Sequence, residues 1–156
     1  MREFKDMASF ITHFATLEVA IRREANHALE KSAVLIEKTA KEELGHYLDA
    51  IGPFPEWDPL EPATIATHNR YGVGDSPLIL TGELYASIEH ETEGGEAVVG
   101  TKMTICEYQE FGTDKIPPRP FMGPAVFSNK KKIEEIMAKG MVHGLIGGNA
   151  LLGNES

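Results

Sequence analysis

One cysteine, Cys106, and one tryptophan, Trp57, are the only residues of either type in 156. A single thiol excludes an internal disulfide and any cysteine-based zinc cluster, because both need several thiols. Nothing in the surrounding ICEYQEF marks the group for activation, so Cys106 is read as buried and inert. Long apolar runs are also missing: no stretch approaches the roughly 20 residues that span a bilayer. The opening MREFKDMASF lacks the charged-then-apolar layout of a secretion signal, so no membrane partner and a cytoplasmic site of synthesis are expected. Positive charge is scarce, with 15 Lys and Arg against 24 Asp and Glu and a formal net charge of −9. That balance argues against tight or specific nucleic-acid binding, which needs clustered cations. It fits a surface along which DNA passes without sticking. The one basic cluster, Lys130, Lys131 and Lys132, reads as a solvated helix face. A P-loop, a dinucleotide glycine fingerprint and a serine nucleophile elbow are all lacking, so neither an enzyme nor a cofactor is expected.

What is present has the size of one domain, read as residues 1–146 followed by a Gly-rich tail at 147–156. Apolar or small residues recur every three or four positions through Phe10, Phe14, Leu17, Ile21, Ala25, Ala28, Ser32 and Leu35, and on to Leu44, Tyr47 and Ile51. This predicts a long amphipathic helix over 7–51 that either kinks near Asn26 and His27 or projects in part. The small residues Ala25, Ala28 and Ser32 allow another element to approach closely, within the chain or from a second subunit. Prolines 53, 55, 59 and 62 break the pattern, and residues 52–76 form a long connection with a short helix over 63–69. Such a loop in a small domain usually carries function or contacts. The stretches LYASIEHET and EAVVGT around Gly94-Gly95 predict an antiparallel hairpin. TICEYQEF returns to helical spacing through Ile105, Tyr108 and Phe111 and is stopped by Gly112. A last helix runs from Ala125 or Ser128 to about Leu145, burying Ile133, Ile136, Met137 and Met141.

Three segments occur in an order that resembles the phage virion-morphogenesis and tail-component families. WDPLEPATIATH at 57–68 contributes Trp57, Pro59 and Leu60, and LILTGELYASI at 78–88 contributes Thr81, Gly82, Leu84 and Ser87. YQEFGTDKIPPRPFMGPA at 108–125 contributes Tyr108, Glu110, Phe111, Gly112, Thr113, Pro118, Arg119, Pro120 and Phe121. The resemblance implies an α+β fold, with a long N-terminal helix packed on a small antiparallel sheet, a short helix and a C-terminal helix. It further implies a structural subunit in the tail or neck of the virion, assembled in the host cytoplasm as a homo-oligomeric ring, often a hexamer. The implied partners are the head connector or neck proteins on one side and the tail tube or terminator on the other, with non-specific proximity to genomic DNA. Tail terminator, completion protein and connector stopper all stay open, because Cys106, Glu107 and Tyr108 replace the usual tyrosine-alanine pair. The alternative is an assembly adaptor or chaperone absent from the mature particle.

The residues of the third segment have their own reading. Gly112 can end a helix, Thr113 and Asp114 can satisfy freed backbone groups, and the prolines stiffen a path from which Arg119 projects as a cationic prong. Arg119 is expected to pair with Glu110 or Glu107, in the same subunit or the next, and Phe111 and Phe121 to anchor the core. Glu24-x-x-His27 and Glu43-x-x-His46 have the spacing of di-metal carboxylate bundles, but on one helix they stand far apart, so no metal is expected. Glu89, Glu91 and Glu93 alternate along a strand and read as a solvent-facing or lumen-lining row rather than an acid–base pair.

Overall fold

The structure, a computed structural model, describes the backbone of residues 4–150 and side chains as far as Gly147. It has the expected α+β content: a long N-terminal helix, a two-stranded antiparallel sheet, short helices and a long C-terminal helix. The elements are α1 (Met7–Glu43), α2 (Pro62–Arg70), α3 (Glu83–Ser87), β1 (Glu89–Glu93), β2 (Glu96–Gly100), α4 (Thr104–Phe111) and α5 (Met122–Ala150). Among the described residues no helix is long and apolar enough to cross a membrane. The chain divides into two compact units, one of residues 1–32, 92–97 and 132–156, the other of residues 33–91 and 98–131.

In the first unit, α1 opens with a reciprocal capping box: the Ser9 amide donates to Asp6 Oδ1 at 2.7 Å and the Asp6 amide to Ser9 Oγ at 3.3 Å. The helix runs unbroken through Asn26 and His27, where a kink had been one of two alternatives. The small-residue stripe is used within the chain. A Cβ on Gly140 would lie 2.8 Å from Ala28 Cβ, and one on Gly144 would lie 2.7 Å from the Ile21 backbone. Glycine at both positions lets the backbones of α5 and α1 touch. The buried side of α5 therefore runs through Gly140 and Gly144, and Met141, expected inside, is 52% exposed. Residues 147–150, read as tail, are helical, while 151–156 lie outside the described residues.

The second unit holds the hydrophobic core, built on Ala40, Leu44, Trp57, Leu84, Ile88, Phe121 and Ala125. Here α1 ends at Glu43, well before Ile51, because Gly45 turns the chain and its amide donates to the Pro77 carbonyl at 2.8 Å. Tyr47, expected on the helix face, instead accepts from the Leu60 amide and donates to Asp75, bracing the proline-rich connection. The hairpin turns at Gly94-Gly95 as expected, but residues 83–87 form α3 rather than strand. One helical turn buries both Leu84 and Ile88, whereas a strand would place them on one face with Ala86 between. Glu89, Glu91 and Glu93 all face solvent, while His90 turns inward to bond Glu37.

Candidate functional site

All three motif segments come together in the second unit. Trp57 is 4% exposed and donates its indole N–H to the Pro120 carbonyl at 2.9 Å. Leu84 and the fully buried Phe121 pack in the same core, so Phe121 is the anchor expected of it. Ser87 Oγ bridges the Leu84 carbonyl and Thr101 Oγ1, tying α3 to the chain after β2.

Glu110 has a different partner from the one expected. Its carboxylate accepts the amides of Phe121 at 2.8 Å, Met122 at 3.1 Å and Gly123 at 2.8 Å, satisfying the first turn of α5 with an anion at the positive end of the helix dipole. The expected Arg119–Glu110 pair is therefore not formed within the chain. Nor is Arg119 a projecting prong, since it is 6% exposed. Its amide donates to the Gln109 carbonyl at 2.6 Å, and its Nη2 donates to the carbonyls of Asp58 at 3.0 Å and Pro59 at 3.4 Å. Among the described residues no carboxylate pairs with it.

Gly112 ends α4 with φ 74°, and a Cβ there would come within 2.9 Å of both the Ile116 carbonyl oxygen and the Pro118 nitrogen. Thr113 closes the following turn, its Oγ1 accepting from the amides of Lys115 and Ile116. Pro118 is exposed and Pro120 is buried. Phe111, expected in the core, is 78% exposed, and Tyr108 is 45% exposed. The side of α4 that turns inward carries Cys106, Gln109 and Glu110 instead. Cys106 is half-buried, and burial followed by the nearby Glu110 charge raises its thiol pKa, which keeps it protonated.

Beside this framework lies an open cavity of about 940 Å³, in the size range of ligand-binding clefts. Pro59, Leu60, Thr81, Gly82, Leu84 and Arg119 from the motifs line it. His68, Leu78 and Gln109 also line it, and their part was not visible in the sequence. The site holds unmet hydrogen-bonding capacity: Arg119 Nε, His68 Nδ1 and Gln109 Oε1 are buried without a partner. Leu78 adopts φ 62°, a left-handed conformation that costs a leucine about 1–2 kcal/mol. Leu78, Arg119, His68 and Gln109 all line this cavity, which makes it the candidate site.

A second electrostatic feature lies close by. The Glu43 carboxyl is pushed up to about 8, first by burial and then by the Glu110 charge, and its Oε2 is buried without a partner. Its motif companion His46 is exposed, and no group of three His, Cys, Asp or Glu side chains among the described residues could hold a metal ion. Compared with known proteins, the chain matches no family model, no curated protein and no solved structure. The three motif segments therefore carry the resemblance by themselves.

Proposed function

We propose that this chain is a non-catalytic structural subunit of the head–tail interface of a tailed phage, a tail completion, terminator or neck protein. Copies repeat around the DNA passage as a ring that meets the head connector on one face and the tail tube on the other. The observation that carries this reading is the convergence of the three motif segments. Trp57 bonds Pro120, Arg119 bonds Asp58 and Pro59, and Leu84 packs with Phe121, so residues far apart in sequence build one body. That body also exposes two aromatic rings, Tyr108 and Phe111 on α4. In the other unit Met7, Ile11 and Phe14 stand exposed on α1, and Met141 and Leu145 on α5. Repeated apolar stripes of this kind are contact surfaces awaiting partners. The excess of acidic side chains, including the exposed row Glu89, Glu91 and Glu93, suits a conduit that DNA must not grip.

Negative-stain electron microscopy of the purified protein tests the reading, with annular particles of uniform diameter expected. Antibody labelling of finished virions should mark the junction of head and tail. A protein that labels assembly intermediates but is missing from finished particles is an adaptor or chaperone instead, and one that stays monomeric in both settings is neither ring nor neck.

A further inference from the structure

A closed ring requires one heterologous contact, a surface on each copy that fits a different surface on the next. α4 carries both halves of such a contact. At 100° per residue, Ile105 and Gln109 lie on the side of the helix that lines the cavity, while Glu107, Tyr108 and Phe111 spread over about 100° centred roughly 130° away, with Tyr108 the nearest to Ile105. The outer side is the one with no explanation inside the chain. Its two aromatic rings stand in solvent, and Glu107 is exposed with no ion-pair partner among the described residues.

The needs of the cavity mirror that list. Arg119 is a cation more than nine-tenths buried that meets carbonyl oxygens but no carboxylate. Burying a guanidinium this deeply is costly unless an anion compensates it. The acids that line the cavity, Asp58, Glu61 and Glu83, are exposed, and none of them pairs with it. His68 is 8% exposed with its Nδ1 unpartnered, and Gln109 Oε1 is likewise buried and unpartnered in the lining of the same cavity; a hydroxyl can accept from the one and donate to the other. The rest of the lining is mixed, with Leu60, Leu80 and Ile116 supplying aliphatic surface and Thr64, Thr81 and Lys115 polar groups.

We infer that the cavity is the seat for the outer face of α4 from a second copy of this chain. Phe111 packs on the aliphatic surface, the Tyr108 hydroxyl meets His68 and Gln109, and the Glu107 carboxylate compensates Arg119. The inference rests on the ring reading above and adds which residues make the repeating contact.

Complementation of two exposed-site variants tests it without disturbing the buried framework. Glu107→Arg together with Phe111→Ser removes the knob but leaves the seat, whereas Leu80→Arg blocks the seat but leaves the knob. By sedimentation velocity each variant alone should self-associate at least about 10-fold more weakly than the unaltered chain, the loss typical of interface anchors. An equimolar mixture should then recover one-to-one dimers and nothing larger, because only one competent junction exists per pair. Either variant assembling as the unaltered chain does would overturn the seat while the ring reading stands. A mixture that stays monomeric, or that regains full-sized assemblies, also rejects it. An unaltered chain that is monomeric at the highest concentration reached defeats the ring reading and the seat together.

Discussion

The two units are held by different means. In one, α5 lies against α1 because Gly140 and Gly144 have no side chains and Ala28 has almost none, so the stabilisation is dispersion between closely approaching backbones. In the other, a hydrophobic core around Ile88 and Phe121 is joined by long-range polar ties: an indole on a carbonyl, a guanidinium on two carbonyls and a carboxylate on three amides. The first arrangement tolerates any change that keeps side chains small. The second needs particular residues, since removing one partner leaves the other buried and unsatisfied.

The comparison can be broken at its strongest tie. Trp57→Ala should cost about 4 kcal/mol, combining a large cavity with an orphaned Pro120 carbonyl, read as the shift of a urea transition followed by circular dichroism. A loss below about 1 kcal/mol would mean that the motif core does not depend on it. The helix pair should yield next. Gly144→Ala forces a methyl to 2.7 Å from the Ile21 backbone and should cost about 2 kcal/mol, with the sign of the effect itself diagnostic, since glycine-to-alanine on an uncrowded helix stabilises. Trp57, the only tryptophan, reports the second unit by fluorescence, so Gly144→Ala can be followed by two probes and Trp57→Ala by circular dichroism alone.

A smaller effect depends on pH. The Glu43 carboxyl titrates near 8 in the folded chain against 4.5 for its ordinary value, so between those limits the folded state holds a proton that the unfolded state has released. Its contribution is complete below about 4.5 and is lost as pH rises through about 8. Glu43→Gln should remove that slope and stabilise the protein by about 1–2 kcal/mol at pH 8, and parallel stability–pH curves for the two proteins would contradict the assignment. Smallest of all, Phe111→Ser should leave folding stability within about 0.5 kcal/mol, because the ring is 78% exposed. A larger loss in the monomer would place Phe111 in the core after all.

Much of the fold was legible because local signals agreed with the final packing. The bounds of α4 follow from helical spacing closed by Gly112, the hairpin turn from Gly94-Gly95, and the long first helix from its unbroken period. The failures share a cause, which is that distant contacts decided them. The end of α1 depends on a bond from Gly45 to Pro77, and α3 wins over strand because the core takes Leu84 and Ile88 together. The candidate site was visible as motif residues but not as geometry. Apolar spacing on α4 pointed Ile105, Tyr108 and Phe111 inward, yet the inward side carries Glu110, whose polarity conceals that it caps a helix. Arg119 read as a prong because arginine is usually exposed, and only the carbonyls of Asp58 and Pro59, some sixty positions earlier, reveal otherwise. His68 and Gln109 fall inside the motif segments 57–68 and 108–125, but nothing in their spacing tied either one to a cavity.

The burial of Arg119 has one more consequence. A guanidinium keeps its proton at any acidity the protein survives, so its own charge does not change with pH over that range. Depth also shields its pull on a carboxylate from dissolved ions, which weaken surface attractions far more. A carboxylate seated on such a group would be the one titrating member of the pair, so acid would loosen the contact from that side alone.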